Sequence, residues 1–271
     1  MRQAQRPWPI PRGAAAAHVA LALCVALVLS AAGATAPAAL ASQPPGAGAP
    51  LSSVTAALIA PPSRRGGATT ALIAQATIAL AEPGRGRSIT PVATATAFSQ
   101  QPQRLLVLSS RLVGSREWLR VLLPIRPDGS SGWIPRNDAV LAETHLWITL
   151  DLAARVLLVY RSGKLVHRFA AVVGKAATPT PSGLAAIYER NRQPDPSGFL
   201  GPWALPLTVL SHELREFGGG PGRIAIHGRD GASLADPLGS ARSHGCIRIE
   251  DAAVGWLAEN ALPGTPVQIR R

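Results

Sequence analysis

The chain is short of lysine, cysteine, methionine and aromatic residues. Lys164 and Lys175 are the only lysines among 27 basic residues; arginine supplies the rest, as a GC-rich coding sequence would, so its abundance is not by itself a sign of arginine chemistry. Aromatic residues make up 4% of the chain, against 26 glycines and 25 prolines, which argues against one large core spanning all 271 residues. Acidic residues number 15, leaving a net charge of +12. A basic surface favours polyanionic partners. The two cysteines, Cys24 and Cys246, exclude a disulfide framework.

What is present begins with a secretory pattern. Arg2, Arg6 and Arg12 precede an almost unbroken apolar run from Ala14 to Ala32, and Ala39-Leu40-Ala41 offers a small-residue cleavage site before Ser42. Residues 1–41 are therefore expected to be a signal peptide or, uncleaved, a membrane anchor. Either places the remainder outside the cytoplasm, because the arginines stay inside. Cleavage would remove three arginines and lower the net charge of +12 to +9. Export favours an anionic cell envelope over nucleic acid as the polyanion. It also strands Cys24 in the membrane segment, so the exported body keeps one cysteine, Cys246, without an intramolecular partner.

Residues 42–87 are rich in Ala, Pro, Gly, Ser and Thr and read as a linker, within which Thr70-Ala71-Leu72-Ile73-Ala74 has the character of a strand. From 88 to 142 short apolar runs alternate with turn residues. Arg104 to Leu108, Glu117 to Leu123 and Gly132-Trp133-Ile134 read as strands, with Pro127-Asp128-Gly129 as a turn. About five strands predict a small barrel. Trp118-Leu119-Arg120-Val121, Leu123-Pro124 and Gly132-Trp133-Ile134 resemble the bacterial SH3-like module of cell-wall proteins. The tryptophans are assigned to its core rather than to a ligand groove.

Residues 143–271 form the second predicted domain. His145 to Asp151, Arg155 to Tyr160 and Leu165 to Val173 read as a strand meander. Thr178-Pro179-Thr180-Pro181-Ser182-Gly183 excludes helix, since each proline restricts itself and its predecessor. Asn191 to Pro206 reads as a long loop that covers a cleft. Arg223 to Ile226 is a short strand, Glu250 to Asn260 the one helix, and Thr265 to Ile269 a closing strand.

Reactive side chains gather in Ile226-His227-Gly228 and Ser243-His244-Gly245-Cys246-Ile247-Arg248. A cysteine nucleophile needs a base, itself oriented by a third group. His227, at a strand end, is assigned as that base, and His244 as a shaping or substrate-contacting residue. Gly245 lets backbone approach a substrate carbonyl, with the Gly245 and Cys246 amides as oxyanion donors. Arg248 suits a fork-like grip on a substrate carboxylate, and Ser243 local hydrogen bonding. A zinc site built from Cys246, His227 and His244 lacks a clear fourth ligand and a usual spacing.

These residues resemble the active-site signature of the L,D-transpeptidase (YkuD) family. The resemblance extends over about 145–271 and includes Tyr160, Gly163-Lys164, the Thr178–Gly183 loop and Pro263-Gly264-Thr265-Pro266-Val267. Pro181-Ser182 intervene before Gly183 where the family commonly has Thr-Pro-Thr-Gly, and Glu250 stands where Asn is frequent. The resemblance implies a mainly β chain: a YkuD-type β-sandwich with one C-terminal helix, preceded by the SH3-like barrel. It implies cysteine acyl transfer on peptidoglycan stem peptides, with D-alanine released and 3→3 cross-links formed. Cys246, His227, His244 and Gly245 would be catalytic; Arg248, Ser243 and Gly228 would bind substrate. No metal or organic cofactor is implied, and carbapenems would acylate the cysteine. Anionic envelope polymers are further candidate partners, nucleic acid is not, and a membrane enters only if the N-terminal segment is retained. Two rivals remain. Hydrolysis or amino-acid exchange would use the same site, though in common wall-lytic cysteine peptidases the cysteine precedes the histidine. A non-catalytic wall-binding module would have no need of Cys246 and His227.

Overall fold

A computed structural model describes residues 58–271. The expected signal or anchor at 1–41, with Cys24, lies outside the described residues, as does the start of the expected linker. Among the described residues no helix is long and apolar enough to cross a membrane.

The first domain starts earlier than its composition suggests. Strands β1 (Ala68–Ile73), β2 (Thr77–Glu82) and β3 (Arg85–Val92) occupy much of the stretch read as linker to residue 87. Thr70, Ile73, Ile78 and Ile89 supply the β-branched side chains that a pleated surface favours, hidden among alanine and glycine. Then come β4 (Arg104–Val113), β5 (Arg116–Leu122), β6 (Ser131–Pro135) and β7 (Ala139–Thr144). The seven pair in the order β3-β2-β6-β5-β4-β1-β7, with β3 and β7 as edges, rather than as five strands beginning at Ser88. Their core includes Ile73, Val107, Leu119, Val121 and Ile134. Trp118 is buried and Trp133 half-buried.

The second domain has two sheets over one core. One holds β8 (Leu146–Asp151), β9 (Val156–Arg161), β10 (Lys164–Ala170), β12 (Gly183–Ala186) and β18 (Pro266–Arg270), ordered β10-β9-β8-β18-β12. The other holds β13 (Asn191–Arg192), β14 (Trp203–Leu210), β15 (Arg223–His227) and β17 (Ile247–Arg248), ordered β13-β14-β15-β17. A small parallel pair joins β11 (Val173–Gly174) to β16 (Ala241–Ser243). The expected strand to Val173 thus ends at Ala170 and resumes in a different sheet. The loop expected over Asn191–Pro206 is shorter, because β14 already begins at Trp203 and pairs with β13 and β15.

Between the sheets Ile148, Leu157, Leu205, Leu207, Ile226 and Ile247 are fully buried. Each contributes roughly 1.5–3 kcal/mol by leaving water. Helix α1 (Asp251–Asn260) adds Ala253, Val254, Leu257 and Ala258 to this core, at the spacing of one helical face. The chain is mainly β with one α-helix, as the sequence predicts.

Candidate active site

The site stands on the parallel pairing of β15 with β17, which sets Ile226 beside Ile247 and His227 beside Arg248. Alternation sends Ile224, Ile226, Ile247 and Ile249 into the core. The same alternation turns His227 and Arg248 to the opposite face. The pairing thus sets His227 beside Arg248, and Cys246, directly before β17, meets the Ala225 backbone of β15 and feels the Arg248 charge.

His227 is almost wholly buried, and its Nδ1 lies 2.6 Å from the Gly228 carbonyl oxygen. Desolvation lowers its pKa to about 4, reinforced by the nearby Arg248 charge and opposed by the Gly228 hydrogen bond. Cys246 is partly exposed. Burial of its thiol raises the pKa, against the lowering effects of the Ala225 backbone and the Arg248 charge. At neutral pH the pair is therefore a neutral imidazole and a protonated thiol.

Ser243 braces the turn before Cys246. Its Oγ donates to the Cys246 carbonyl at 2.6 Å and accepts from the Gly245 amide at 3.1 Å. The Gly245 amide is thus committed internally, which leaves the Cys246 amide as the other backbone donor considered for an oxyanion. Gly245 has φ +116°, and an added Cβ would lie 2.9 Å from Ile224 Cδ1. The proline-rich loop docks on the same turn: Thr180 Oγ1 donates to the Gly245 carbonyl at 2.7 Å and accepts from the Gly174 amide at 2.9 Å.

Arg248 differs from its expected placement. It is 4% exposed, and its Nη1 meets Asp236 Oδ2 at 2.6 Å. Its guanidinium carbon stands 4.7 Å from the Phe199 ring centroid, and its Nε is buried without a partner. The guanidinium expected to grip a substrate carboxylate is instead held by Asp236. Gly228 is buried as well; its amide donates to the Trp203 carbonyl at 3.2 Å and its own carbonyl faces His227. His244 is exposed, with Nε2 3.3 Å from Lys175 Nζ and its ring 6.1 Å from that of Phe217.

Sequence reasoning missed Asp236, Phe199, Phe217 and Asp251. Asp251 Oδ1 accepts from the Arg229 amide at 2.7 Å and so fixes the chain just after His227-Gly228 to the start of α1. Phe199, whose ring is 6.1 Å from that of His227, sits in the loop expected to cover a cleft. A cavity of about 680 Å³ opens elsewhere along that loop, beside Arg192, Pro202, Trp203 and Glu259; neither Cys246 nor His227 lines it. Among the described residues, no three His, Cys, Asp or Glu side chains are grouped to hold a metal ion.

The sequence model of the YkuD family, described as an L,D-transpeptidase catalytic domain, matches residues 145–269. Over this segment the chain is similar to YkuD-type L,D-transpeptidase catalytic domains. Two curated relatives, both named putative L,D-transpeptidase YkuD, align over the same region. The one from Bacillus licheniformis is 35% identical over 122 residues, which is 45% of this chain and 64% of the relative. The one from Bacillus subtilis is 31% identical over 124 residues, 46% of this chain and 65% of the relative. The chain therefore spans less than two thirds of the length of these relatives. Among solved structures, an L,D-transpeptidase from Mycobacterium smegmatis is similar at 15% identity and a TM-score of 0.36, covering 58% of this chain and 91% of that one. The matched segment contains Cys246, His227 and the turn that Ser243 braces.

Proposed function

We propose that the protein is an exported peptidoglycan L,D-transpeptidase that forms 3→3 cross-links through a thioester on Cys246. The observation that carries this reading is the placement of His227. His227, a neutral imidazole with Nδ1 facing the Gly228 carbonyl, ends the strand that pairs with the short strand directly after Cys246. The match of residues 145–269 to the YkuD family model supports the substrate class.

In the proposed reaction Cys246 Sγ attacks the carbonyl that joins a diamino acid to D-alanine in a stem tetrapeptide. His227 Nε2 takes the thiol proton as the C–S bond forms. The tetrahedral oxyanion sits at the Cys246 amide. Collapse breaks the C–N bond, and D-alanine leaves with the proton from His227. The side-chain amine of a second stem then attacks the thioester and gives its proton to His227. The C–S bond breaks and the thiol is restored. The Arg248 charge favours thiolate character at Cys246 and, by opposing protonation of His227, keeps the base available. Residues 1–41 serve as the export signal or anchor, the reaction takes place in the cell envelope, and the basic body favours anionic envelope polymers.

The test is incubation with a disaccharide tetrapeptide, followed by mass, beside Cys246→Ala. A dimer lighter by one D-alanine, absent in the variant, is expected. Tripeptide alone would assign hydrolysis instead. No Cys246-dependent conversion would overturn the enzymatic reading.

A further inference from the structure

The 211–222 loop, between β14 and β15, ends near the active site. Its tip is a tight turn in which the Phe217 and Gly220 backbones pair, leaving the Phe217 side chain 55% exposed. That ring stacks toward His244 at 6.1 Å, with 26° between the planes. An exposed phenylalanine on a glycine-rich tip has little of its own to hold it there. Gly218 and Gly219 both have positive φ, and a Cβ added at either would meet nothing within 4 Å.

The side chains that hold the neck of the loop come from the other domain. The β5–β6 turn of the first domain carries Arg126 and Asp128. Arg126 Nη1 donates to the Ser211 carbonyl at 2.6 Å, and Nη2 donates to the Pro221 carbonyl at 3.0 Å. A third, longer contact reaches the Leu214 carbonyl at 3.4 Å. One guanidinium thus spans both ends of the loop, using the fixed fork that a lysine lacks. Asp128 holds the approach: Oδ1 accepts from the Leu210 amide at 2.9 Å, and Oδ2 lies 3.0 Å from His212 Nε2. Within the loop, the Ser211 amide donates to the Gly222 carbonyl at 2.7 Å and so closes its neck. The return strand is tied too, since Arg223 Nη2 donates to the Pro124 carbonyl of the first domain at 3.0 Å.

We propose that Arg126 and Asp128 are positioning residues for the catalytic cleft: from the first domain they fix the neck of the 211–222 loop, so that Phe217 stands as an apolar wall beside His244. The role in catalysis rests on the transpeptidase reading above. On that reading, Phe217 gives the acyl-donor stem an apolar surface on the His244 side, while Phe199 flanks His227 and Arg248 on the other. The first domain is then part of the substrate site and more than a spacer. Its effect falls on substrate binding, because neither residue touches Cys246 or His227.

The test compares Arg126→Ala, Arg126→Lys and Gln101→Ala in the full chain. Gln101 is a control from the same domain boundary, remote in sequence from the loop: its Nε2 donates to the Arg190 carbonyl at 2.9 Å and to Asn191 Oδ1 at 2.7 Å. Amide hydrogen exchange over 211–222 should speed up about tenfold in Arg126→Ala, given the usual worth of hydrogen bonds to a charged group. Arg126→Lys should fall between, and Gln101→Ala should match wild type in this segment. With a stem tetrapeptide, Arg126→Ala should raise KM about fivefold and change kcat less than about twofold, the pattern of lost uniform binding. Alkylation of Cys246 by iodoacetamide should be unchanged. The proposal is overturned if the loop exchanges at the wild-type rate in Arg126→Ala, if Gln101→Ala produces the same exchange and KM changes, or if alkylation slows in parallel. Exchange and alkylation use no stem peptide. If wild type fails to convert the stem, the transpeptidase reading and the catalytic role fall with it, while exchange still decides whether Arg126 positions the loop.

Discussion

His227 Nδ1 stands 2.6 Å from the Gly228 carbonyl oxygen, and because a carbonyl only accepts, that nitrogen carries the proton. The other nitrogen, Nε2, keeps its lone pair. The tautomer of His227 is thus set by the residue that follows it in the chain, through main chain rather than through an acidic side chain.

The buried neutral histidine sets a pH dependence. Its folded pKa, about 4, lies below its ordinary value of 6.5. Between these values the unfolded chain binds the proton and the folded chain does not. The stabilisation is full above about pH 6.5 and is lost as pH falls toward about 4, amounting to about 3 kcal/mol. Urea unfolding at pH 7, 5.5 and 4.5 should show this loss in wild type and a shallower one in His227→Gln.

The thiol should behave as a protonated resting group. Burial raises the Cys246 pKa, so iodoacetamide alkylation should climb with pH beyond the usual thiol range and show no plateau near neutrality. A plateau at pH 6–7 would mean a preformed thiolate–imidazolium pair, which the environment of His227 disfavours.

Ser243→Ala should weaken both the fold and the reaction. It leaves the Cys246 carbonyl without its 2.6 Å donor and the Gly245 amide without its acceptor. Two backbone groups losing partners at a buried serine should cost about 2 kcal/mol in denaturant unfolding. Turnover should drop further than stability explains, because this turn places Cys246, the proposed nucleophile.

The Arg248–Asp236 pair gives an asymmetric prediction. Asp236→Ala leaves a guanidinium buried whose Nε already lacks a partner, and should cost about 3 kcal/mol or more. Arg248→Met combined with Asp236→Ala should recover much of that stability without recovering catalysis. Equal stability losses in single and double variants would mean that the pair is not coupled.

Gly174→Ala should disable the site from the far side of the turn. Its Cβ would run into the Pro179 backbone at 2.7 Å and into its neighbours Thr178 and Thr180. The docked loop would have to move, taking the Thr180 contact to Gly245 with it. Loss of activity with a modest change in melting temperature is expected, followed by thermal unfolding and stem-peptide turnover.

The legible parts of this chain were those with local signals. The run Ser243 to Arg248, the prolines of Thr178–Gly183 and the helix from Asp251 each declare themselves within a few residues. Strand β1 was legible only as the run Thr70-Ala71-Leu72-Ile73-Ala74 within an expected linker, and β2 and β3 were hidden because alanine and glycine dilute the alternation of their threonines and isoleucines. Asp236 could not be paired with Arg248 by spacing, since an irregular stretch separates them and only the fold brings them together. The same holds for Arg126 and Ser211, which lie 85 residues apart. Arg248 was recognised as important from its position after Cys246, but only its burial showed what it meets.

The last strand, β18, lies between β8 and β12, parallel to the first and antiparallel to the second. During synthesis, the β8–β9–β10 meander therefore waits with an open hydrogen-bonding edge until nearly the whole domain has been made. The catalytic half cannot finish its sheet progressively as it emerges, so a chain stopped short of Pro266 would expose sticky strand edges and be prone to aggregate or to be degraded.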